Sequence, residues 1–296
     1  MRAVVVDSFG GPEVVEVVET DVPEPGAREI RIKVSAAALN PVDAGVRAGV
    51  FGGAGKRIGL GWDVAGTVDA VGVASSWSVG DTVVALDHGV AKPLGTHAEY
   101  VVVDTDAAAL APATVDAVYA ATLPLNALTA VQALDRLELT PGQVLLVTGA
   151  AGAVGGYAVQ LAAHRGIEVT ALARETDEEF VRSLGATGFT AGAVEPGRFD
   201  AVLDAAVLGA PALEWVRDGG AYIGLIPHAE PGSVRGVRTG AVEVSADGAR
   251  LAELVRLVDE GVLTLRVAET FRLDEVAKAH ARLDEGGARG RLVLVP

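Results

Sequence analysis

The chain contains no cysteine. That excludes disulfide bridges, thiolate nucleophiles and cysteine-ligated metals. A basic cluster is missing too: 24 Lys and Arg stand against 39 Asp and Glu, a formal net charge of −15. Nucleic acid is therefore not expected as a principal partner. No continuous apolar run is long enough to span lipid comfortably. Residues 117–134 are uncharged but carry Pro124, Asn126, Thr129 and Gln132, and residues 143–164 are uncharged because they form a glycine-rich turn. The opening MRAVVVDSFGG has too short an apolar run, and turns acidic too soon, for a signal peptide. These absences predict a protein without membrane contact in a reducing, cytoplasmic setting. There is also no Gly-x-Ser-x-Gly elbow for a hydrolase. Of the five histidines (His88, His97, His164, His228, His280), no two stand at metal-ligand helical spacing.

Half of the 296 residues are hydrophobic and 21% are charged, a balance that gives a well-cored chain with room for two domains. The most informative segment is LLVTGAAGAVGGYAVQL, residues 145–161. An apolar run, a turn of small residues and an Ala-rich stretch describe a strand feeding a helix through a tight glycine turn. Gly152 and Gly155 carry no side chain, so a pyrophosphate can approach the helix N-terminus and meet its N–H groups and positive dipole end. The strict G-x-G-x-x-G spacing is not met, because Ala150 stands where the simplest pattern has glycine. Such turns also arise for packing alone. Context favours the cofactor: apolar strands are expected at 167–172, 201–203, 221–225 and 237–244 with helices between them. That alternation predicts a doubly wound parallel sheet.

The first hundred residues differ. Short β-like runs at 3–6, 14–18, 30–38, 64–71, 82–86 and 99–103, punctuated by Gly and Pro, predict a compact barrel-like β unit. One helix is expected after Asn40-Pro41, with Asn40 as cap and Pro41 at the first helical position. Helical stretches are expected within 114–137, over 247–260, and over 274–283 with Asp274 as cap. A final strand over 291–295 is expected to return to the first domain.

In order and spacing, the blocks FGGPEVVEV, AALNPVDAGVRAG (37–49), GWDVAGTVDAVG (61–72), VGDTVVAL (79–86), GTHAEYVVV (95–103), ATLPLNALTAVQAL (121–134), VTGAAGAVGGYAVQLA (147–162), VRSLGAT (181–187) and the closing AHARLDEGGARGRLVLV span nearly the whole chain. They resemble the medium-chain dehydrogenase/reductase superfamily, and within it the zinc-free, zeta-crystallin-like quinone oxidoreductases. The resemblance implies an α/β protein in which a discontinuous GroES-like domain (1–118 and 265–296) stands beside a Rossmann domain (119–264), with the active site in the cleft between them. It also implies NADP(H) as cofactor, a quinone or an α,β-unsaturated carbonyl as substrate, and, by analogy with relatives that pair through sheet edges, a homodimer. The zinc enzymes of the superfamily carry cysteine where this chain has the Asn40 segment, and Gly-His-Glu where it has Gly61-Trp62-Asp63. No zinc is therefore expected.

The resemblance assigns Ala151, Gly152, Ala153, Val154 and Gly155 to the cofactor turn, and Thr129, Leu225 and Ile226 to the surroundings of the nicotinamide. The second nucleotide strand ends Ala171-Leu172-Ala173-Arg174, with no carboxylate where an NAD enzyme holds the ribose hydroxyls. Arg174 is expected to face a 2′-phosphate, and the family position of Arg291 suggests the same. The bland alternative for Arg174 is neutralisation of Glu175, Asp177, Glu178 and Glu179. Asn40, Asp43, Trp62 and Asp63 are the substrate-cleft candidates. Against this, Asn is a common cap, Asp in a first turn suits the helix dipole, and Asp63 can simply brace the fold. His228 follows the strand expected near the nicotinamide, but a solvated loop histidine is the simpler account.

An enoyl-thioester reductase is the runner-up reading, disfavoured because residues 44–60 contain no tyrosine, only Phe51. A short-chain dehydrogenase is excluded, since none of Tyr100, Tyr119, Tyr157 and Tyr222 has lysine four residues on. A nucleotide-binding protein without turnover, crystallin-like or sensing, is the non-enzymatic alternative.

Overall fold

The computed structural model describes residues 1–53 and 55–296. The chain divides into two compact units, one formed by residues 1–125, 245–261 and 265–296, the other by 126–244 and 262–264.

The first unit is built on strands. In chain order these are β1 (Arg2–Val6), β2 (Val15–Glu19) and β3 (Glu29–Leu39), then helix α1 (Pro41–Arg47), β4 (Ile58–Gly59), β5 (Asp63–Val71), β6 (Thr82–Leu86), β7 (Tyr100–Asp104), β8 (Ala108–Leu110) and the single-turn α2 (Ala117–Ala120). The 11-residue β3 is its hub, antiparallel to β5 and also to β7. Its first half alternates as the pleat requires: Ile30, Ile32 and Val34 are buried while Arg31, Lys33 and Ser35 point outward. From Ala36 to Leu39 every residue is buried, a change of pattern that no local rule gives.

The second unit starts within α3 (Pro124–Leu137). It continues through β9 (Val144–Thr148), α4 (Ala153–His164), β10 (Glu168–Leu172), α5 (Glu178–Ser183), β11 (Gly188–Thr190), β12 (Phe199–Asp204), β13 (Val216–Gly224) and β14 (Arg238–Ala241). All six strands are parallel, in the order β11-β10-β9-β12-β13-β14. Renumbered from the first nucleotide strand this is 3-2-1-4-5-6, the dinucleotide-binding order, whose reversal lies between β9 and β12. Helices cover both faces of such a sheet, so its strands read as apolar runs without alternation, as VLLVT in β9 does. Helix α4 is buried continuously from Gly155 to Ala162, which accounts for its lack of a polar face.

The chain then returns to the first unit through α6 (Gly248–Asp259), β15 (Val267–Arg272), α7 (Val276–Glu285) and β16 (Arg291–Val295). The closing strand pairs antiparallel with β3, Leu292 opposite Leu39, and so covers the fully buried half of β3.

Three details depart from the sequence reading. Residues 119–125 and 245–261 belong with the first unit rather than with the nucleotide domain. Helix α6 packs so closely on β8 that a Cβ on Gly248 would lie 2.4 Å from the Ala108 carbonyl oxygen, and the Asp259 carboxylate accepts from the Thr114 N–H and hydroxyl at 3.0 and 2.8 Å. Residues 262–264 stay with the second unit, as the sequence reading had them, and Thr264 N–H donates there to Gln160 Oε1 at 2.8 Å. The helix expected from Asp274 begins at Val276 after a 3-10 turn, and Asp274 is not its cap but pairs with Arg272. Strands β4, β8, β11 and β15 went unexpected: three are only two or three residues long, and β15 (VAETFR) is half polar with no buried residue.

The uncharged stretch from Ala117 to Leu137 is long and apolar enough to cross a bilayer by composition, yet 78% of that window is buried inside the protein. Its alanines and leucines are core.

Candidate active site

At the end of β9 the chain turns on Gly149, whose φ of +57° is the left-handed conformation that glycine adopts without steric cost. Gly152 then caps α4 in extended geometry with no side chain to hydrogen bond the first turn. The N–H groups of a helix's first turn have no intrahelical acceptors, and the Ncap residue supplies no side chain to take them. The glycines divide the labour. A Cβ on Gly152 would meet only the Gly149 oxygen, at 3.0 Å, whereas one on Gly155 would stand 2.2 Å from that same oxygen. Gly155 thus serves contact between helix and turn, not the open approach the sequence reading gave it, and Gly152 is the exposed position of the cradle. Ala151, Ala153 and Val154 are half-buried along it.

Arg174 directly follows β10, is exposed, and makes no ion pair among the described residues. Of its acidic neighbours, Glu178 pairs with Arg182 at 2.9 Å instead. Neutralisation of the local acids therefore does not account for this guanidinium. Leu225 is half-buried and Ile226 48% exposed immediately after β13, at the same carboxyl edge of the sheet. Thr129 is buried on α3, and His228 is an exposed loop residue.

Sequence reading missed a network at this edge. Asp204, the last residue of β12 and fully buried, accepts from the Thr148 hydroxyl (2.6 Å), the Gly209 N–H (2.8 Å) and the Tyr222 hydroxyl (2.8 Å). The Thr148 Oγ1 in turn accepts from Ala206 N–H at 2.9 Å. Burial, helped by the hydrogen bond to Asp204, pushes the Tyr222 hydroxyl above its ordinary range, so it remains a donor. A lone acid closing an apolar parallel strand (FDAVLD) was the signal available in the sequence.

The cleft candidates gather in the first unit, where the structure shows the capping and bracing contacts that the sequence reading set beside a cleft role. Asn40, Asp43 and Asp63 are 1%, 0% and 0% exposed. The Asp43 carboxylate accepts from Asn40 N–H at 2.8 Å and from Gly61 N–H at 2.9 Å. Asn40 Nδ2 donates to Asp63 Oδ2 at 2.6 Å, Leu125 N–H donates to Asp63 Oδ1 at 2.6 Å, and Arg291 donates to Asn40 Oδ1 at 3.1 Å. Capping and bracing account for all three side chains. Arg291 joins this cluster because β16 runs beside the end of β3 that leads into Asn40. Trp62 is half-buried under the Lys92 ammonium, 5.8 Å from the ring centroid, and Lys92 also donates to the Gly61 carbonyl and pairs with Asp87.

Burial pushes the Asp63 carboxyl up to about 7, against the Leu125 N–H and Asn40 amide, which favour its charge. The native state thus holds that proton more tightly than the unfolded chain. The contribution to stability is complete below pH 4 and is lost as pH rises through 7. The Asp63→Asn variant is expected to gain stability relative to the wild type by roughly 2 kcal/mol or more between pH 5 and pH 8. Urea midpoints across that range check this, and a pH-independent difference would mean an ordinary carboxylate. His97 and His280 are both fully buried. His97 donates through Nε2 to the Ala38 carbonyl and is shifted down by burial; His280 accepts from Arg47 at Nδ1 and is pushed down to about 3, first by burial and then by His97 and Arg47. Both are neutral at physiological pH.

Residues 26–113 match the model of the alcohol dehydrogenase GroES-like domain, and residues 175–294 that of the zinc-binding dehydrogenases. The whole chain aligns at 34% identity with 80% of the NADPH-dependent alkenal/one oxidoreductase of Arabidopsis thaliana. The chain belongs to the medium-chain dehydrogenase/reductase superfamily, in its quinone oxidoreductase group. It is also 32% identical over its full length to 79% of the 2-methylene-furan-3-one reductase of Solanum lycopersicum. The quinone oxidoreductase from Coxiella burnetii superposes with a TM-score of 0.87 at 28% identity, over 100% of this chain and 99% of that one.

The family includes zinc enzymes, but the residues of this oxidoreductase do not fit the metal. Among the described residues no three His, Asp or Glu side chains converge on one point. Asp63 has both oxygens committed to N–H donors, and the Trp62 indole offers no ligand. The glycine cradle, the uncapped α4 turn and the unpaired Arg174 do fit a dinucleotide carrying a 2′-phosphate.

Proposed function

We propose that this protein is an NADPH-dependent reductase of α,β-unsaturated carbonyls and quinones. The observation that carries the reading is the 3-2-1-4-5-6 parallel sheet whose first strand opens into the Gly149–Gly155 turn. Relatives named as alkenal/one, furanone and quinone reductases support the acceptor class. Bound NADPH supplies a hydride, which an enone takes at its β-carbon or a quinone at its ring, the second hydrogen arriving as a proton.

The chain's own part is binding and exclusion. The Gly152 edge and the α4 N-terminus receive the diphosphate, and Arg174 pairs with the 2′-phosphate. The half-buried Leu225 and the exposed Ile226 offer an uncharged surface at the carboxyl edge of the sheet. Asn40 and Asp43 are spent on structure, and Asp63, fully buried with each oxygen taken by an N–H donor, keeps its proton within that network, so the transferred proton comes from water. No step needs a metal.

The test is steady-state oxidation of NADPH with methyl vinyl ketone, a 2-alkenal and phenanthrenequinone in turn. Turnover with at least one enone or quinone, faster with NADPH than with NADH, is expected. Tight NADPH binding with no turnover on any acceptor would leave only a binding role.

A further inference from the structure

The loop after β12 carries a feature that neither packing nor turn chemistry explains. Val207 has φ +58°, and among the described residues it is the only β-branched one in the left-handed region. For valine this conformation is strained, because the branched Cβ crowds its own backbone. Glycine, which would relax it, stands two residues on at Gly209, itself at φ +71°. The side chain has no burial to compensate: Val207 is 52% exposed and Leu208 41%. Strain of this kind persists only where the surroundings over-determine the backbone.

Those surroundings are on both sides of the residue. Ala206 N–H is tied to Thr148 Oγ1 and Gly209 N–H to Asp204 Oδ2, while Tyr222 and Thr148 hold the Asp204 carboxylate in place. Thr148 and Asp204 face each other in register at the ends of β9 and β12, where the strand order reverses. The loop also abuts the cofactor turn: a Cβ on Gly149 would lie 3.1 Å from the backbone of Ala205 and Ala206. Residues 205–209 are therefore the wall facing residues 149–152 across the crevice in which sheets of this order bind dinucleotides.

We propose that this loop is a strained clamp on the dinucleotide, with Val207 as a positioning residue: the buried Thr148–Asp204–Tyr222 network forces the backbone into a form valine does not choose, so that an apolar side chain stands at the crevice and covers an uncharged part of the cofactor. The inference rests on reading the β9 turn as the dinucleotide site. It adds that stability is given up here for cofactor geometry.

A variant that relaxes the strain should thus be more stable and bind worse, a combination that a purely structural residue does not produce. Asparagine accepts the left-handed region and lacks the branch. For Val207→Asn the apparent Tm is expected to rise by about 2 °C while the Kd for NADPH, from fluorescence titration, weakens at least fivefold. For Thr148→Val, which leaves the Ala206 N–H without its acceptor, Kd weakens about tenfold, whereas Thr148→Ser, keeping the hydroxyl, stays within twofold of the wild type. A Val207→Asn protein with raised Tm and unchanged Kd would overturn the clamp, and so would one with lowered Tm. The exposed Val207 site keeps the test decisive should Thr148→Val not fold. Failure of the wild type to bind either nicotinamide dinucleotide would instead overturn the cofactor reading beneath it.

Discussion

Replacing Gly152 with valine is expected to abolish NADPH binding, with a loss of at least 100-fold in affinity, in a protein that still folds. The backbone at Gly152 is extended (φ −73°, ψ −176°), a conformation valine adopts readily. Its Cβ would meet only the Gly149 oxygen, at 3.0 Å, so a shift of a few tenths of an ångström accommodates it. The γ-methyls then occupy the space a diphosphate needs and screen the first-turn N–H groups. A 100-fold loss is about 2.7 kcal/mol, within what a few charge-assisted hydrogen bonds supply. The contrast is Gly155→Ala, where even a methyl group lies 2.2 Å from the Gly149 oxygen. There the turn itself must open, so thermal stability and binding should fall together. Calorimetric titration beside thermal melts separates the two cases. Full binding by Gly152→Val would place the cofactor elsewhere.

The second large effect is expected at Arg174. An exposed guanidinium without an ion pair has little role in stability, and surface charges away from such contacts change it by no more than about 0.5 kcal/mol. Arg174→Glu should therefore leave the melting temperature nearly unchanged. It should lower kcat/KM for NADPH about 100-fold or more, because a bidentate cation becomes an anion facing a phosphate. NADH, which has a hydroxyl there, should change less than threefold. Raising the ionic strength should narrow the wild-type preference, since an exposed pair is screened. Equal losses for both cofactors would show that this arginine does not read the phosphate.

Much of this protein was legible where the signal is local. VLLVT followed by GAAGAVGG specifies a buried parallel strand, a left-handed turn and a helix start, and Thr82–Leu86 and Arg291–Val295 fall where the apolar runs lie. Asn40 and Asp43 show where such reading ends. A cap and a cleft residue share one sequence, and the choice rests on whether the polar atoms are already used. Asp43 uses one oxygen on Gly61, 18 residues away, Asp63 one on Leu125, 62 away, and Asn40 its carbonyl on Arg291, 251 away. Those distances are closed only by folding.

The sequence alone determined the strand periods, the glycine turn, the absence of thiolate chemistry and the missing ribose acid, because each depends on residue type and near neighbours. Tertiary structure decided which acids are spent on bracing, which arginine stays free, that residues 245–261 pack on β8, and that Val207 is held left-handed. Each of these turns on a partner remote in the chain, since a buried polar group or a strained φ is tolerable only where distant groups meet it.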